Sequence, residues 1–156
     1  MPKEIERKYL LTDNSWENFV VGETALRQGY IAKSNDCLVR IRISDNEAWI
    51  TVKGKQVSFT RPEFEYEIPI SDAEELLKEF SSENQIVKTR FFLVYQEIKW
   101  IVDVFEGQNS GLIIAEIELE SETINYSLPP WVGKDVTTDF RYTNSNLAEH
   151  PYNEWI

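Results

Sequence analysis

The chain has little of what most nucleophile and metal chemistry uses. It holds one histidine, His150, and one cysteine, Cys37, in 156 residues. A lone cysteine excludes an internal disulfide, which suits a reducing cytoplasm. No cysteine–histidine spacing for zinc exists, and no Ser-His-Asp set assembles. Cys37 follows the turn Ser34-Asn35-Asp36 without a histidine nearby, so it reads as a small packing residue rather than a stabilised thiolate. His150, just before Pro151, reads as a surface residue rather than a phosphoenzyme nucleophile. No apolar run approaches ~18 residues, so no membrane span is expected, and no apolar signal core suggests export. A glycine-rich loop ending in Gly-Lys-Ser/Thr is missing; Gly54 beside Lys53 is not one. Without long linkers, repeats or low-complexity tracts, residues 1–156 read as one domain.

Basic residues are also scarce: 16 Lys and Arg stand against 27 Asp and Glu, a net charge of −11. Long-range attraction to nucleic acid or to an anionic membrane is therefore not expected. A small anionic ligand is compatible with that balance only if the basic residues gather in one place.

The alternation of residue types shows where they gather. Met1–Leu11 reads as a strand with Glu4, Glu6 and Lys8 on one face and Ile5, Arg7, Tyr9 and Leu11 on the other. Further strands are expected at 24–33, 37–44, 47–53, 61–70, 86–95, 97–105 and 112–120, with Gly29 a bulge or a close approach. Trp16–Val20 reads as a short helix. Ser71, with Glu74 three residues on, reads as the cap of a second helix carrying Leu76, Leu77 and Phe80. Residues 133–143 read as loop with some helix, and 145–149 as a helical turn before Pro151. Eight strands at short spacing suggest an antiparallel barrel or sandwich within an α+β fold.

The charged sides of these strands carry Lys8, Arg40, Arg42, Lys53, Lys88 and Arg90. They also carry Glu4, Glu6, Glu63, Glu65, Glu67, Glu116, Glu118 and Glu120, with Asp103 near the end of its strand. Either the apolar faces meet in a core and the charges are solvated outside, or the sheet closes with its charges inward. Signs are segregated by strand, whereas a solvated face gains more from mixing them. Two like charges ~6 Å apart repel by roughly 3 kcal/mol at an effective dielectric of 20, so such rows more often serve a function than the fold. Cations on some walls and carboxylates on others suit a polyphosphate together with a hard divalent cation.

At this point the sequence resembles the CYTH family, the triphosphate tunnel metalloenzymes. The signature Glu-x-Glu-x-Lys is present as Glu4-Ile5-Glu6-Arg7-Lys8. Matching stretches follow in order: Leu26-Arg-Gln-Gly-Tyr30, Val39-Arg-Ile-Arg42, Thr51-Val-Lys53, Glu65-Tyr-Glu-Ile68 and Lys88-Thr-Arg90. Asp103-Val-Phe105, Ala115-Glu-Ile-Glu-Leu119, Asp135-Val-Thr-Thr-Asp139 and Tyr142-Thr-Asn144 complete the series, which spans nearly the whole chain. The resemblance implies an eight-stranded antiparallel β-barrel forming a charged tunnel, with a few helices around it. It implies Glu4, Glu6, Glu116, Glu118 and Asp103 as metal ligands for Mg²⁺ or Mn²⁺. Lys8, Arg40, Arg42, Lys53, Lys88 and Arg90 are implied as triphosphate ligands, with Glu67, Glu118, Lys8 and Tyr30 as candidates for the catalytic step. Glu63 and Glu120 have no clear family match.

The chain is most similar to the compact bacterial inorganic tripolyphosphatases, which implies metal-dependent hydrolysis of tripolyphosphate to diphosphate and phosphate. Thiamine triphosphatase, another organic triphosphate hydrolase, class IV adenylate cyclase and a non-catalytic polyphosphate binder are the alternatives. The cyclases often carry a His-Phe pair, and no Phe follows His150. Trp49 and Trp131 are candidates for a thiamine ring, with packing the readier reading of each. A small-molecule triphosphate is the implied partner, with no nucleic acid or membrane; the chain is expected to be a cytoplasmic monomer or homodimer.

Overall fold

The computed structural model describes residues 2–81 and 84–155. Nine strands follow in chain order: β1 Lys3–Leu11, β2 Val20–Lys33, β3 Cys37–Ile43, β4 Ala48–Gly54, β5 Thr60–Ile68, β6 Ile86–Tyr95, β7 Ile98–Phe105, β8 Ile113–Glu118 and β9 Val132–Asp135. Two α-helices, α1 Ile70–Phe80 and α2 Asn144–Glu149, lie among short 3-10 turns. The sheet order is β5-β4-β3-β2-β6-β7-β8-β1-β9, and β5 also pairs with β1. That extra pairing closes the first eight strands into a ring, as expected. Every pairing in it is antiparallel. No described helix is long and apolar enough to cross a membrane.

The free edge of β1 is divided. Lys3, Glu4 and Ile5 pair with Pro62, Arg61 and Thr60 of β5, whereas Tyr9 and Leu11 pair with Asp135 and Val132 of β9. Between these ladders Glu6 N–H donates to the Phe59 carbonyl, and Lys8 N–H donates to Thr137 Oγ1. The edge is thus covered along its length, which removes the exposed donors that invite wrong pairing.

Three apolar clusters hold the barrel: two use the outward-facing residues, and the third plugs one end of the barrel with inward-facing ones. Ile41, Ile43 and Ala48 of β3 and β4 pack under Ala73 and Leu77 of α1. Tyr9, Leu93, Trp100, Val102, Ala115 and Ile117 pack with Trp16 and Trp131, which arrive on flanking segments. Tyr30, Ile86, Phe105 and Ile114 pack at one end of the barrel against Val136, Tyr142, Leu147 and Ala148 of the C-terminal segment. The aromatics meet edge to face, as in Trp100–Trp131 with ring centroids 5.6 Å apart. Trp131 is wholly buried in this packing.

Several expectations are corrected. β2 starts at Val20 rather than residue 24, because its first residues extend the ladder with β6 from Val20–Leu93 onward. The Trp16–Val20 segment is a 3-10 turn, Ser15–Phe19. Ser71 does not cap α1: the helix begins two residues earlier, after Pro69, whose φ of −58° suits a helix start, and no side chain caps it. Glu74, the other half of the expected capping box, is instead ion-paired with Arg27 of β2. Residues 133–143 contribute a strand, β9, because β1 presents an edge that β5 leaves unpaired. Cys37 is exposed rather than packed, since it opens β3 at the turn. His150 is exposed, and Met1 lies outside the described residues.

Gly29 is a close approach. A Cβ there lies 2.7 Å from Ser81 Oγ and 2.8 Å from Leu77 Cδ2, so α1 packs directly on the β2 backbone. The bulge is next to it, where the β2–β3 register shifts between Tyr30 and Ala32. Gly29→Val is therefore expected to lower stability by about 1–3 kcal/mol in urea melts. Gly22→Ala, whose Cβ meets nothing nearer than Phe92 at 3.9 Å, serves as a near-neutral control; equal melts for the two variants would refute the close packing.

Candidate functional site: a charged tunnel

Because apolar side chains cover the outside, the alternate residues of each strand point into the barrel. Ring closure then sorts them by sign. The strands β8, β1 and β5 are neighbours, so Glu116, Glu118, Glu4, Glu6, Glu63 and Glu65 form one acidic wall. Opposite it stand Lys53 of β4, Arg40 and Arg42 of β3, and Lys88 and Arg90 of β6. Lys8 of β1 stands among the acidic rows. These residues, apart from Lys88, line a cavity of about 1020 Å³. A smaller opening towards the C-terminal segment shares Glu4, Glu6, Lys8, Arg40 and Lys53 and is rimmed by Tyr30, Phe59, Arg61 and Thr143.

Cross-strand register brings the groups together. Glu6 lies opposite Glu118, and Lys8 opposite Glu116. Lys8 Nζ is 3.7 Å from both Glu6 and Glu116. Lys53 Nζ donates to Glu4 at 2.8 Å and lies 3.7 Å from Glu63. Arg40 donates to Thr51 Oγ1 at 3.2 Å and to Glu65 at 3.3 Å, and the Thr51 hydroxyl donates to the same Glu65 oxygen at 2.8 Å.

The innermost cluster is on β6 and β7. Asp103 is wholly buried and accepts from Lys88 Nζ at 2.7 Å, Arg90 Nε at 2.9 Å and Arg90 Nη2 at 3.0 Å. Lys88 also donates to Asn144 Oδ1 of α2 at 3.1 Å. Both carboxylate oxygens of Asp103 are thus committed to cations, so this residue orients the basic wall. Three hydrogen bonds to these cations set it apart from the other expected metal ligands, and Ile114 of β8 lies directly across from it.

Glu67 is an expected residue that the fold does not deliver. It pairs with Trp49 at the far end of β5, is exposed and is not part of the cavity wall. β5 pairs with β1 only over Thr60–Pro62, so Glu63 stays beside that ladder while Glu67, level with Arg42 through Trp49, lies five residues past it. Glu63 fills that place instead. The register Lys53–Glu63 in the β4–β5 hairpin is the signal that identifies it. Gln28, Thr51 and Asn144 also belong to the site; Gln28 shares the inward face of β2 with Tyr30 by simple alternation, whereas Asn144 reaches Lys88 only through the tertiary fold.

Crowding shows in the proton affinities. Burial, then the Glu116 charge, pushes Glu6 up to about 8. Burial and a hydrogen bond with Glu4 push Glu63 up to about 7. Burial and the Glu4 charge also raise Glu118. Burial acts on Glu4 in the same sense, but Lys53 and hydrogen bonds with Glu63 and Glu6 outweigh it and hold that carboxyl well below the usual range. On the other wall burial, with Arg40 and Arg90 nearby, lowers Arg42 to about 9.

Oxygen donors alone, from Glu4, Glu6, Glu116 and Glu118 on two paired strands, are the chemistry that hard divalent cations select. The raised affinities of Glu6 and Glu118 for protons mark negative charge that a cation relieves. Among the described residues no three carboxylates converge as a ready-made metal site, because Lys8 and Lys53 draw them aside. A cation held there would have to compete with these ammonium groups.

A closed antiparallel barrel with an acidic and a basic inner wall defines a tunnel protein for a polyanion and a counter-cation. The chain belongs to the CYTH domain family, whose model matches residues 2–152. It is 41% identical over 152 residues to an inorganic triphosphatase of Acetivibrio thermocellus, covering 97% of each chain. It is 34% identical over 152 residues to an inorganic triphosphatase of Nitrosomonas europaea, covering 93% of this chain and 96% of the relative. A solved crystal structure of an inorganic triphosphatase superposes with a TM-score of 0.64 at 31% identity, over 93% of this chain and 97% of that one.

Two outcomes follow for the metal-free protein. Glu6 titrates at 4.5 when unfolded and at about 8 when folded, so between these values the native state binds more protons. Its contribution to stability is complete below pH 4.5 and is lost as pH rises to about 8. Urea melts in chelator should show Glu6→Gln with a flatter profile over this range and a gain over the parent at the alkaline end. Asp103→Asn, in contrast, strands two buried cations and should cost about 3–5 kcal/mol at neutral pH; an unchanged midpoint would mean that the cluster is not electrostatically bound.

Proposed function

We propose that the protein hydrolyses inorganic tripolyphosphate to diphosphate and phosphate in this tunnel, with Mg²⁺ or Mn²⁺. The observation that carries the reading is the opposition of the two walls: Arg40, Arg42, Lys53 and Arg90 of β3, β4 and β6 face the carboxylate rows of β1, β5 and β8 across one cavity. A pure anion binder gains nothing from carboxylates beside its ligand, whereas a metal-assisted hydrolase needs them. The inorganic triphosphatases that resemble the chain over nearly all its length support the same reading.

In this scheme Arg40, Arg42, Lys53, Lys88 and Arg90 hold the phosphate oxygens, the arginines by forked contacts. Asp103 and Asn144 keep Lys88 and Arg90 aimed inward. Glu4, Glu6, Glu116 and Glu118 hold the cation, which when bound neutralises phosphoryl charge as a Lewis acid. Glu118 lines the cavity and has a raised proton affinity. It orients a water for in-line attack on a terminal phosphorus and takes the proton as the new P–O bond forms. The bridging P–O bond breaks and diphosphate leaves. Lys8, whose ammonium form Glu116 and Glu6 favour despite burial, stabilises charge on the departing oxygens, with Tyr30 at the narrower opening. No covalent enzyme intermediate is required.

Phosphate release from tripolyphosphate, thiamine triphosphate and ATP, measured side by side with Mg²⁺ or Mn²⁺, tests this. Tripolyphosphate should be the best substrate and EDTA should abolish turnover. Glu118→Gln should lower kcat by about two orders of magnitude and leave the fold intact. Turnover that persists in EDTA, or a preference for ATP, would refute the proposal.

A further inference from the structure

Among the described residues, six cations of β1, β3, β4 and β6 project into the barrel, and five of them are tied to carboxylates. Lys53 is held by Glu4, Lys8 lies between Glu6 and Glu116, Arg40 contacts Glu65, and Lys88 and Arg90 share Asp103. Arg42 differs. Among the described residues its hydrogen-bond partner is a neutral amide: Nε donates to Gln28 Oε1 at 2.9 Å. Gln28 is wholly buried and sits directly across from Arg42 in the β2–β3 register. Its Nε2 has no partner, and neither has the buried Nε of Arg40, the neighbour of Arg42 on the inner face of β3.

A carboxylate at position 28 has the same acceptor to offer Arg42 Nε and forms a buried ion pair with it. The amide holds the guanidinium equally well but leaves its charge uncompensated and adds donors of its own. Buried donors without acceptors, next to a cation without a counterion, destabilise the free protein. Such an arrangement makes sense where a ligand supplies both the acceptors and the charge.

We propose that Gln28 is a positioning residue that anchors Arg42 without neutralising it, making Arg42 the primary anchor for a phosphoryl group of the bound chain. The inference rests on the triphosphate reading above and deepens it. A polyanion entering the tunnel has to compete with carboxylates for Lys8, Arg40 and Lys53, and meets Lys88 and Arg90 already shared with Asp103. Arg42 needs no such exchange, and with Nε fixed by Gln28 its terminal nitrogens are left for a forked phosphate contact.

The test uses Gln28→Glu and Gln28→Leu in the full chain, with tripolyphosphate as the probe. The readouts are KM, kcat, the Tm of the free protein, and the Tm shift that tripolyphosphate produces in EDTA. Gln28→Glu should raise the free protein's Tm, raise KM about tenfold or more, and shrink the ligand-induced shift, with kcat within about threefold. Gln28→Leu, which adds no charge, should raise KM by about threefold to tenfold without the gain in Tm. A Gln28→Leu protein with the parent's KM and ligand-induced shift overturns the inference, as does a Gln28→Glu protein that binds like the parent. If the parent itself neither shifts with tripolyphosphate nor cleaves it, the triphosphate reading fails instead.

Discussion

The structure depends on the short ladder in which Lys3, Glu4 and Ile5 of β1 meet β5. Without it the sheet is open, its charged face meets water, and Lys53 is parted from Glu4. With it, the last strand of the first half of the chain lies beside the first strand, and the glutamates of β5 join those of β1 and β8. β9 and the Thr137 hydroxyl support this closure by covering the rest of the β1 edge. The barrel is held shut at a seam that also carries half of the family signature.

Closing charges inside requires that something else stabilise the fold. Apolar side chains do so from outside, under α1 and under the segment around Trp131, while inward-facing Tyr30, Ile86, Phe105 and Ile114 close one end against the C-terminal segment. Stability and chemistry are thereby placed on opposite faces of the same strands, one residue apart. An inward substitution alters charge and ligand contacts, an outward one alters packing, and period-two alternation keeps the two separate.

Inside, burial works against every charge. The free protein responds by pairing cations with carboxylates across the tunnel and by favouring protonation of Glu6 and Glu63. The phosphate-binding groups and the metal-binding groups are therefore each other's partners until ligands arrive. On the function proposed above, a triphosphate and a divalent cation would replace these pairs together, since either alone leaves one wall without its counter-charge. Asp103 is outside this exchange: enclosed on all sides and bonded to Lys88 and Arg90, it keeps part of the basic wall in place whatever occupies the tunnel.

The sequence by itself determined the strands, their inward and outward faces, and the sign of each row, because these follow from alternation within single segments. Glu4, Glu6 and Lys8 are on one side of β1 whatever surrounds them. It did not determine which rows meet. That Glu63 rather than Glu67 reaches the cavity follows from how far β5 runs past β1. That Asp103 serves cations follows from its enclosure between β6 and β8, and that Asn144 touches Lys88 follows from how the C-terminal segment folds back. The exposure of Cys37 and the existence of β9 are likewise consequences of neighbours that arrive from distant parts of the chain. Alternation is a local property of the backbone, whereas burial, charge partnership and hydrogen-bond completion depend on which strand lies alongside, and only the closed sheet decides that.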